Sequence, residues 1–180
     1  LISGGHTQII LAKQIGKYEL LGETVDDSIG ETFDKVSQEL GYGYPGGPMI
    51  EELAKKGDPT KYPFPKPLLK KQGLNFSFSG LKTAVIREII KCKSSKESDW
   101  KNDIAASLQN TVSILLASKI RDAIILTSTD SLVVSGGVAA NHYIRETMSN
   151  LCQEMKVNLR LPPKRLCADN GLMIAWAACL

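Results

Sequence analysis

Two short turns hold the residues best suited to chemistry. Residues 132–141 read LVVSGGVAAN, an apolar strand ending in Ser135, Gly136 and Gly137 before a helix-compatible run, and the chain opens on similar letters, Leu1, Ile2, Ser3, Gly4, Gly5. Without a Cβ, glycine lets backbone N–H groups approach a ligand closely. A following helix adds its unpaired N-terminal N–H groups and the positive end of its dipole, so phosphate or ribose is the natural guest. Neither copy is a P-loop, which needs a Gly-Lys-Ser/Thr ending. A plain tight turn is the alternative for either copy alone.

Carboxylates form the second set. Asp26, Asp27 and Glu31 surround a helix start, where acids satisfy the N-terminal dipole without further function. Asp34 lies too far into that helix for the same explanation and suits a sugar hydroxyl or an amide partner, with plain surface placement as the alternative. Asp169, in residues 167–171 (CADNG), precedes a helix and suits its N-cap. One carboxylate does not hold a transition metal, and the two histidines, His6 and His142, are far apart in sequence. Either histidine can meet a ligand or be a hydrogen-bonded structural residue, and Lys82 can meet phosphate or solvent. Trp100 and Trp176 are expected in the core, and an aromatic content of 6% offers no stacking platform for single-stranded nucleic acid.

The positioning elements follow from periodicity. Residues 7–13 and 18–24 read as a hairpin around Gly16 and Lys17. Ile29, Phe33, Val36 and Leu40 share one helical face, which Gly41 and Gly43 terminate. Residues 44–48 (YPGGP) lead into a short helix over 49–56 with Pro48 at its first position. Pro63, Pro65 and Pro67 make a surface loop. Residues 75–78 alternate as a short strand, and Ser79 caps a helix over 80–92. Residues 91–101 are polar and exposed, and Asn102 or Asp103 opens a long, largely buried helix to about Leu126. Strand 131–134, helix 139–155, strand 157–161 and helix 170–179 then alternate as in an α/β sheet with parallel strands. Ligands in such sheets sit at the carboxyl ends of the strands, so both Ser-Gly-Gly turns and the Asp169 loop are expected on one rim.

A chain of 180 residues with 43% apolar content buries a sizeable core. Its net charge of +3 is too small to diagnose a nucleic-acid surface, although the lysines of residues 66–71 and 91–101 make two local basic patches. Cys92, Cys152, Cys167 and Cys179 have no C-x-x-C spacing, which argues against a zinc ribbon or thioredoxin-like site and for a reduced cytosolic chain. No basic n-region followed by an apolar core opens this sequence and no uninterrupted apolar run reaches the ~20 residues that span a bilayer, so the expectation is a soluble, cytoplasmic protein. Leu1 is not a Met, and Leu1 and Ile2 read as the last residues of a strand, so the chain is expected to be a piece of a longer one.

Six motifs in order resemble one family: residues 1–8 (LISGGHTQ), 26–35 (DDSIGETFDK), 44–48 (YPGGP), 75–83 (NFSFSGLKT), 134–141 (VSGGVAAN) and 167–171 (CADNG). Together they resemble the TsaD family of tRNA N6-adenosine threonylcarbamoyltransferases, formerly grouped as glycoproteases, and the His of SGGHT resembles its bacterial or organellar branch. The resemblance implies an α/β, actin-like ATPase (ribonuclease H-like) lobe, a mixed sheet flanked by helices, truncated from a two-lobed fold. Residues 1–180 then form mainly the second lobe, with helix-rich connecting elements over about 25–130 and nucleotide-binding strand-turn-helix units over about 131–180. It implies transfer of a threonylcarbamoyl group from threonylcarbamoyl-AMP to N6 of the adenosine beside the tRNA anticodon. The adenylate is held by Leu1, Ile2, Ser3, Gly4, Gly5, Asp34, Gly47 and Asn141. An iron or zinc ion is ligated by Asp169 with two histidines of a His-x-x-x-His motif, which this sequence lacks and which His6 and His142 do not match. The implied partners are tRNA, a paralogous scaffold subunit and a small ATPase subunit, with no membrane, and this chain alone is expected to be inactive.

Other readings compete. An ATPase or small-molecule kinase of the actin-like fold needs a carboxylate to activate water or a hydroxyl, and Asp34 is the candidate. A metalloprotease lacks support without a His-Glu-x-x-His helix. A non-catalytic binding or assembly module is the remaining alternative.

Overall fold

The computed structural model describes residues 1–94 and 99–179. The part of the polar run at 95–98 lies outside the described residues. The first strands, β1 (Gln8–Gln14) and β2 (Lys17–Glu23), pair antiparallel as the hairpin signal predicts. Helices α1 (Ile29–Glu39), α2 (Gly46–Ala54), α3 (Ser79–Cys92) and α4 (Trp100–Thr127) follow, then β3 (Ser131–Val133), α5 (His142–Met155), β4 (Asn158–Arg160) and α6 (Gly171–Ala177). β3 and β4 pair in parallel.

The core gathers around α4, which is buried through Ile104, Leu108, Val112, Leu115 and Leu116 and packs on α2, α3 and α5. Into the same core α1 places Ile29, Phe33 and Val36, with Leu40 at its C-cap, the four residues its 3.6-residue period selects. Burying such side chains is worth about 1.5–3 kcal/mol each before the entropy of ordering is counted.

The sheet departs from expectation. Among the described residues the strands form two two-stranded sheets rather than one mixed sheet. Only Leu1 and Ile2 join them: Leu1 and Gln8 exchange backbone hydrogen bonds of 2.9 Å, and the Ile2 N–H donates to the Ser135 carbonyl at 2.8 Å. Beside Leu1 and Ile2 an apolar cavity of 460 Å³, lined in part by Ile9, Ile10, Leu132 and Val133, lies between the two strand edges.

Several local expectations need correction. Residues 75–78 make one bridge, Thr24 to Phe76, and no strand, because the Asp26 carboxylate rather than a ladder takes the following N–H groups. α2 starts at Gly46, with Pro45 in the cap and Pro48 inside the first turn. Residues 139–155 are not one helix: a 3-10 turn over Gly137–Ala140 ends at Asn141, whose extended ψ of 124° restarts the chain as α5. Trp100 is buried as expected, whereas Trp176 is 69% exposed with Leu172, Met173 and Ile174 beside it, because no described element packs over the seven-residue α6.

Candidate functional site

In the first turn a bridge between Ile2 and Thr7 brings Ser3 and His6 together. The Ser3 N–H donates to the His6 carbonyl at 2.8 Å, and the His6 N–H donates back to Ser3 Oγ at 3.0 Å. The start of α1 rests on this turn: Ser28 Oγ donates to the Gly4 carbonyl and the Gly30 N–H to the Ser3 carbonyl. A Cβ on Gly30 would lie 2.6 Å from Ser3 O and Gly4 Cα, so glycine is what allows this close approach.

The second turn is sutured to the first through one residue. Ile2 donates its N–H to Ser135, and its carbonyl accepts from the Val138 N–H at 3.1 Å. Gly136 has φ +100°, and a Cβ there would sit 2.3 Å from Ile2 O, so only glycine fits. The N–H groups of Gly4, Gly5, Gly136 and Gly137 meet no acceptor among the described residues. Unpaired backbone donors on adjoining glycine turns are what an anion or sugar-phosphate binds.

The helix beyond the second turn does not serve that purpose. Asn141 is 6% exposed and caps α5, its Oδ1 accepting from the Ile144 N–H at 3.0 Å and its Nδ2 donating to Gln109 Oε1 at 2.8 Å. The His142 N–H donates to Glu51 Oε1 at 2.9 Å. The positive end of α5 is therefore already supplied with acceptors, and the donors available to a ligand are those of the turns.

Asp34 Oδ1 accepts from the Gly46 N–H at 2.7 Å and ties α1 to the start of α2. Its Oδ2 has no partner among the described residues, and Gly47 follows directly in α2. Asp26 does not compensate its own helix: it accepts from Ser77 Oγ at 2.6 Å, the Phe78 N–H at 2.7 Å, and the N–H and Oγ of Ser79 at 3.2 and 2.9 Å. Asp26, not Ser79, thus caps α3, whose own cap residue offers no side-chain acceptor. Partial burial pushes the Asp26 carboxyl up, but the donors from Ser77, Phe78 and Ser79 outweigh it and hold the group below the usual carboxylate range. Beside it, Lys82 pairs with Asp27 at 2.6 Å rather than facing open solvent. This is an ion pair without hydrogen-bond alignment, since Asp27 Oδ2 makes no well-directed bond.

Arg145 was invisible to motif reading, being one more charged residue on an amphipathic helix. Its Nε donates to the Ala139 carbonyl at 2.5 Å and its Nη2 to the Pro162 carbonyl at 2.6 Å, with Cys167 Sγ 3.2 Å away. It thereby ties the 162–167 loop to the second turn. Asp169, two residues on, is exposed and contributes no cap; Asn170 Oδ1 caps α6 instead, accepting from the Leu172 N–H. Among the described residues no three His, Cys, Asp or Glu side chains are grouped to hold a metal ion. The donor set among the described residues therefore does not fit a metal centre by itself. Four free cysteines are described, with Cys92, Cys152 and Cys167 buried.

Comparison with known proteins identifies the class. Residues 1–176 match the model of the TsaD family, tRNA N6-adenosine threonylcarbamoyltransferase, and the chain belongs to that family. It is 45% identical to the tRNA N6-adenosine threonylcarbamoyltransferase of Wolbachia pipientis wMel, covering 98% of this chain and 52% of that protein. It is similarly 46% identical to the one from Thermosipho africanus (98% and 53%) and 48% identical to the one from Pelagibacter ubique (97% and 50%). The chain spans about half the length of the curated relatives it matches. No described helix is long and apolar enough to cross a membrane.

Proposed function

We propose that this chain supplies one wall of a site that moves a threonylcarbamoyl group from threonylcarbamoyl-AMP to N6 of the adenosine adjacent to the tRNA anticodon. The observation that carries the reading is the sutured pair of glycine turns with four unpartnered N–H groups. In the reaction the adenine N6 attacks the carbamoyl carbon, the new C–N bond forms, the bond from that carbon to the phosphate oxygen breaks, AMP leaves, and the N6 proton passes to solvent. The N–H groups of Gly4, Gly5, Gly136 and Gly137 donate to the phosphate, whose charge grows as AMP departs, and fixed donors need no reorganisation at that moment. Leu1, Ile2 and Ser3 shape the floor of the site, and Asp34 Oδ2, beside Gly47, accepts from a ribose hydroxyl. Asn141 acts here by fixing the exit of the second turn.

The rest of the proposal rests on the family. Asp169 is one ligand of a divalent iron or zinc ion whose remaining ligands come from outside this chain. The chain is mainly the second lobe of an actin-like fold, works in the cytoplasm with a paralogous scaffold subunit and a small ATPase subunit, and is inactive alone. The test combines the complete protein, those subunits, tRNA and the adenylate donor, with the modified adenosine read by mass spectrometry. Product is expected, and Asp34→Ala should lower its rate at least about tenfold, the value of one hydrogen bond made to a charged group. No modified adenosine with wild type would overturn the reading.

A further inference from the structure

The stretch from Pro59 to Arg87 contains Lys61, Lys66, Lys70, Lys71, Lys82 and Arg87 and not one Asp or Glu. The rest of the chain, taken alone, carries more acids than bases, so the positive balance resides here. Lys61 is answered by Asp103 and Lys82 by Asp27. Lys66, Lys70 and Lys71 are exposed, and none has an acidic partner among the described residues. Elsewhere on the surface Lys13, Lys55, Lys91 and Arg121 each have a carboxylate within 3 Å, while Lys17, Lys35 and Lys156, which have none among the described residues, stand singly in the sequence.

The loop that bears these three lysines is held in shape. Lys119, 1% exposed, reaches out of α4 and donates Nζ to the Lys71 carbonyl at 3.0 Å and the Gly73 carbonyl at 2.7 Å. Turn bonds from Leu69 N–H to Lys66 O and from Lys71 N–H to Leu68 O fold the segment on itself. Leu68 sits at φ +57°, a left-handed conformation that a leucine keeps only where its surroundings over-determine it. Phe64, Leu68 and Leu69 line an open depression of 410 Å³ between the lysines. The loop is also continuous with the candidate site: Pro67 Cγ lies 3.8 Å from the Cβ position of Gly80, in the first turn of α3, and Asp26 holds that turn one residue from Asp27 and two from Ser28, the residue bonded to Gly4.

We infer that Lys66, Lys70 and Lys71 form a phosphate-contacting surface that holds the backbone of the tRNA substrate while its adenosine reaches the turns. The inference rests on the proposed function. A loop whose backbone is held in shape and which carries three exposed lysines without acidic partners among the described residues, with few aromatic side chains, suits electrostatic holding of phosphates rather than base reading.

The complete protein is titrated with tRNA at several salt concentrations and compared with Lys66→Ala/Lys70→Ala/Lys71→Ala, the corresponding triple arginine variant, and Lys55→Ala, whose partner is Glu52. The triple alanine variant is expected to raise Kd at least about tenfold at physiological salt and to flatten the slope of log K against log salt by about 2. The arginine variant and Lys55→Ala should bind as wild type, and melting temperatures of all four should agree because the substituted side chains are exposed. Unchanged affinity and slope in the triple alanine variant overturn this surface while leaving the proposed function standing. Loss of binding to another protein without loss of tRNA binding overturns it as well, assigning the loop to protein docking. If wild type binds no tRNA even with the scaffold and ATPase subunits present, the proposed function itself falls.

Discussion

A methyl group placed on Gly4 or Gly5 would meet nothing within 4 Å, whereas one on Gly136 would meet the Ile2 carbonyl at 2.3 Å from a backbone already at φ +100°. Both turns are spelled Ser-Gly-Gly, but the chain itself needs glycine only at Gly136. In the first turn the empty space stands outside the molecule, where a ligand would be, and the α1 entry residues close the inner side. Gly137 is as open as Gly4 and Gly5, so of the four glycines in the repeated motif packing demands one and leaves the other three clear.

The strongest way to break this comparison is Gly136→Ala, which combines a strained left-handed residue with a backbone collision. It is expected to lose about 3 kcal/mol or more of stability, or to fail to fold, in urea titrations. Stability within error of wild type would show that the suture between the turns is not structural. Next in size is Asp26→Ala, which leaves the first turn of α3 without its acceptor and should cost about 1–2 kcal/mol. Because the folded carboxyl titrates below its ordinary value, its contribution is complete above about pH 4 and is lost as pH falls through the lowered folded value. Acid titrations should therefore show wild type losing, below about pH 4, a component of stability that Asp26→Ala never has. The smallest stability effect belongs to Gly4→Ala and Gly5→Ala, expected within about 0.5 kcal/mol of wild type. Their calorimetric affinity for an adenylate analogue in the complete protein should fall at least about tenfold. If both substitutions leave binding intact, the open side of the first turn faces no ligand.

Local rules made most of the elements legible. The β1–β2 hairpin, the apolar face of α1, the burial of α4 and the strand before the second glycine turn all follow from periodicity and turn residues within about one window of sequence, whereas Ile2 before the first turn makes only an isolated bridge. The failures lie where a distant group decides. Ser79 has the right residue type for a cap, yet Asp26, more than fifty residues earlier, takes the role. Asn141 looks like a ligand residue but is occupied by Ile144 and Gln109. Trp176 has the composition of a core residue and no described neighbour to bury it. The glycine turns were readable as tight turns because glycine's conformational freedom is local, but their suture through Ile2 was not, since nothing near Ile2 announces a partner at Val138.

That suture also sets an order in time. Ile2 is bonded to Ser135 and Val138, and contacts between such distant parts of a chain are slow to form because the intervening loop must be closed first. On the ribosome the first turn emerges before the second and waits with its N–H groups exposed until the second has followed. The β1–β2 hairpin and the helices have time to form meanwhile. The paired turns are then among the last features completed, so a chain interrupted before Ser135 can carry most of its helices and still have no site.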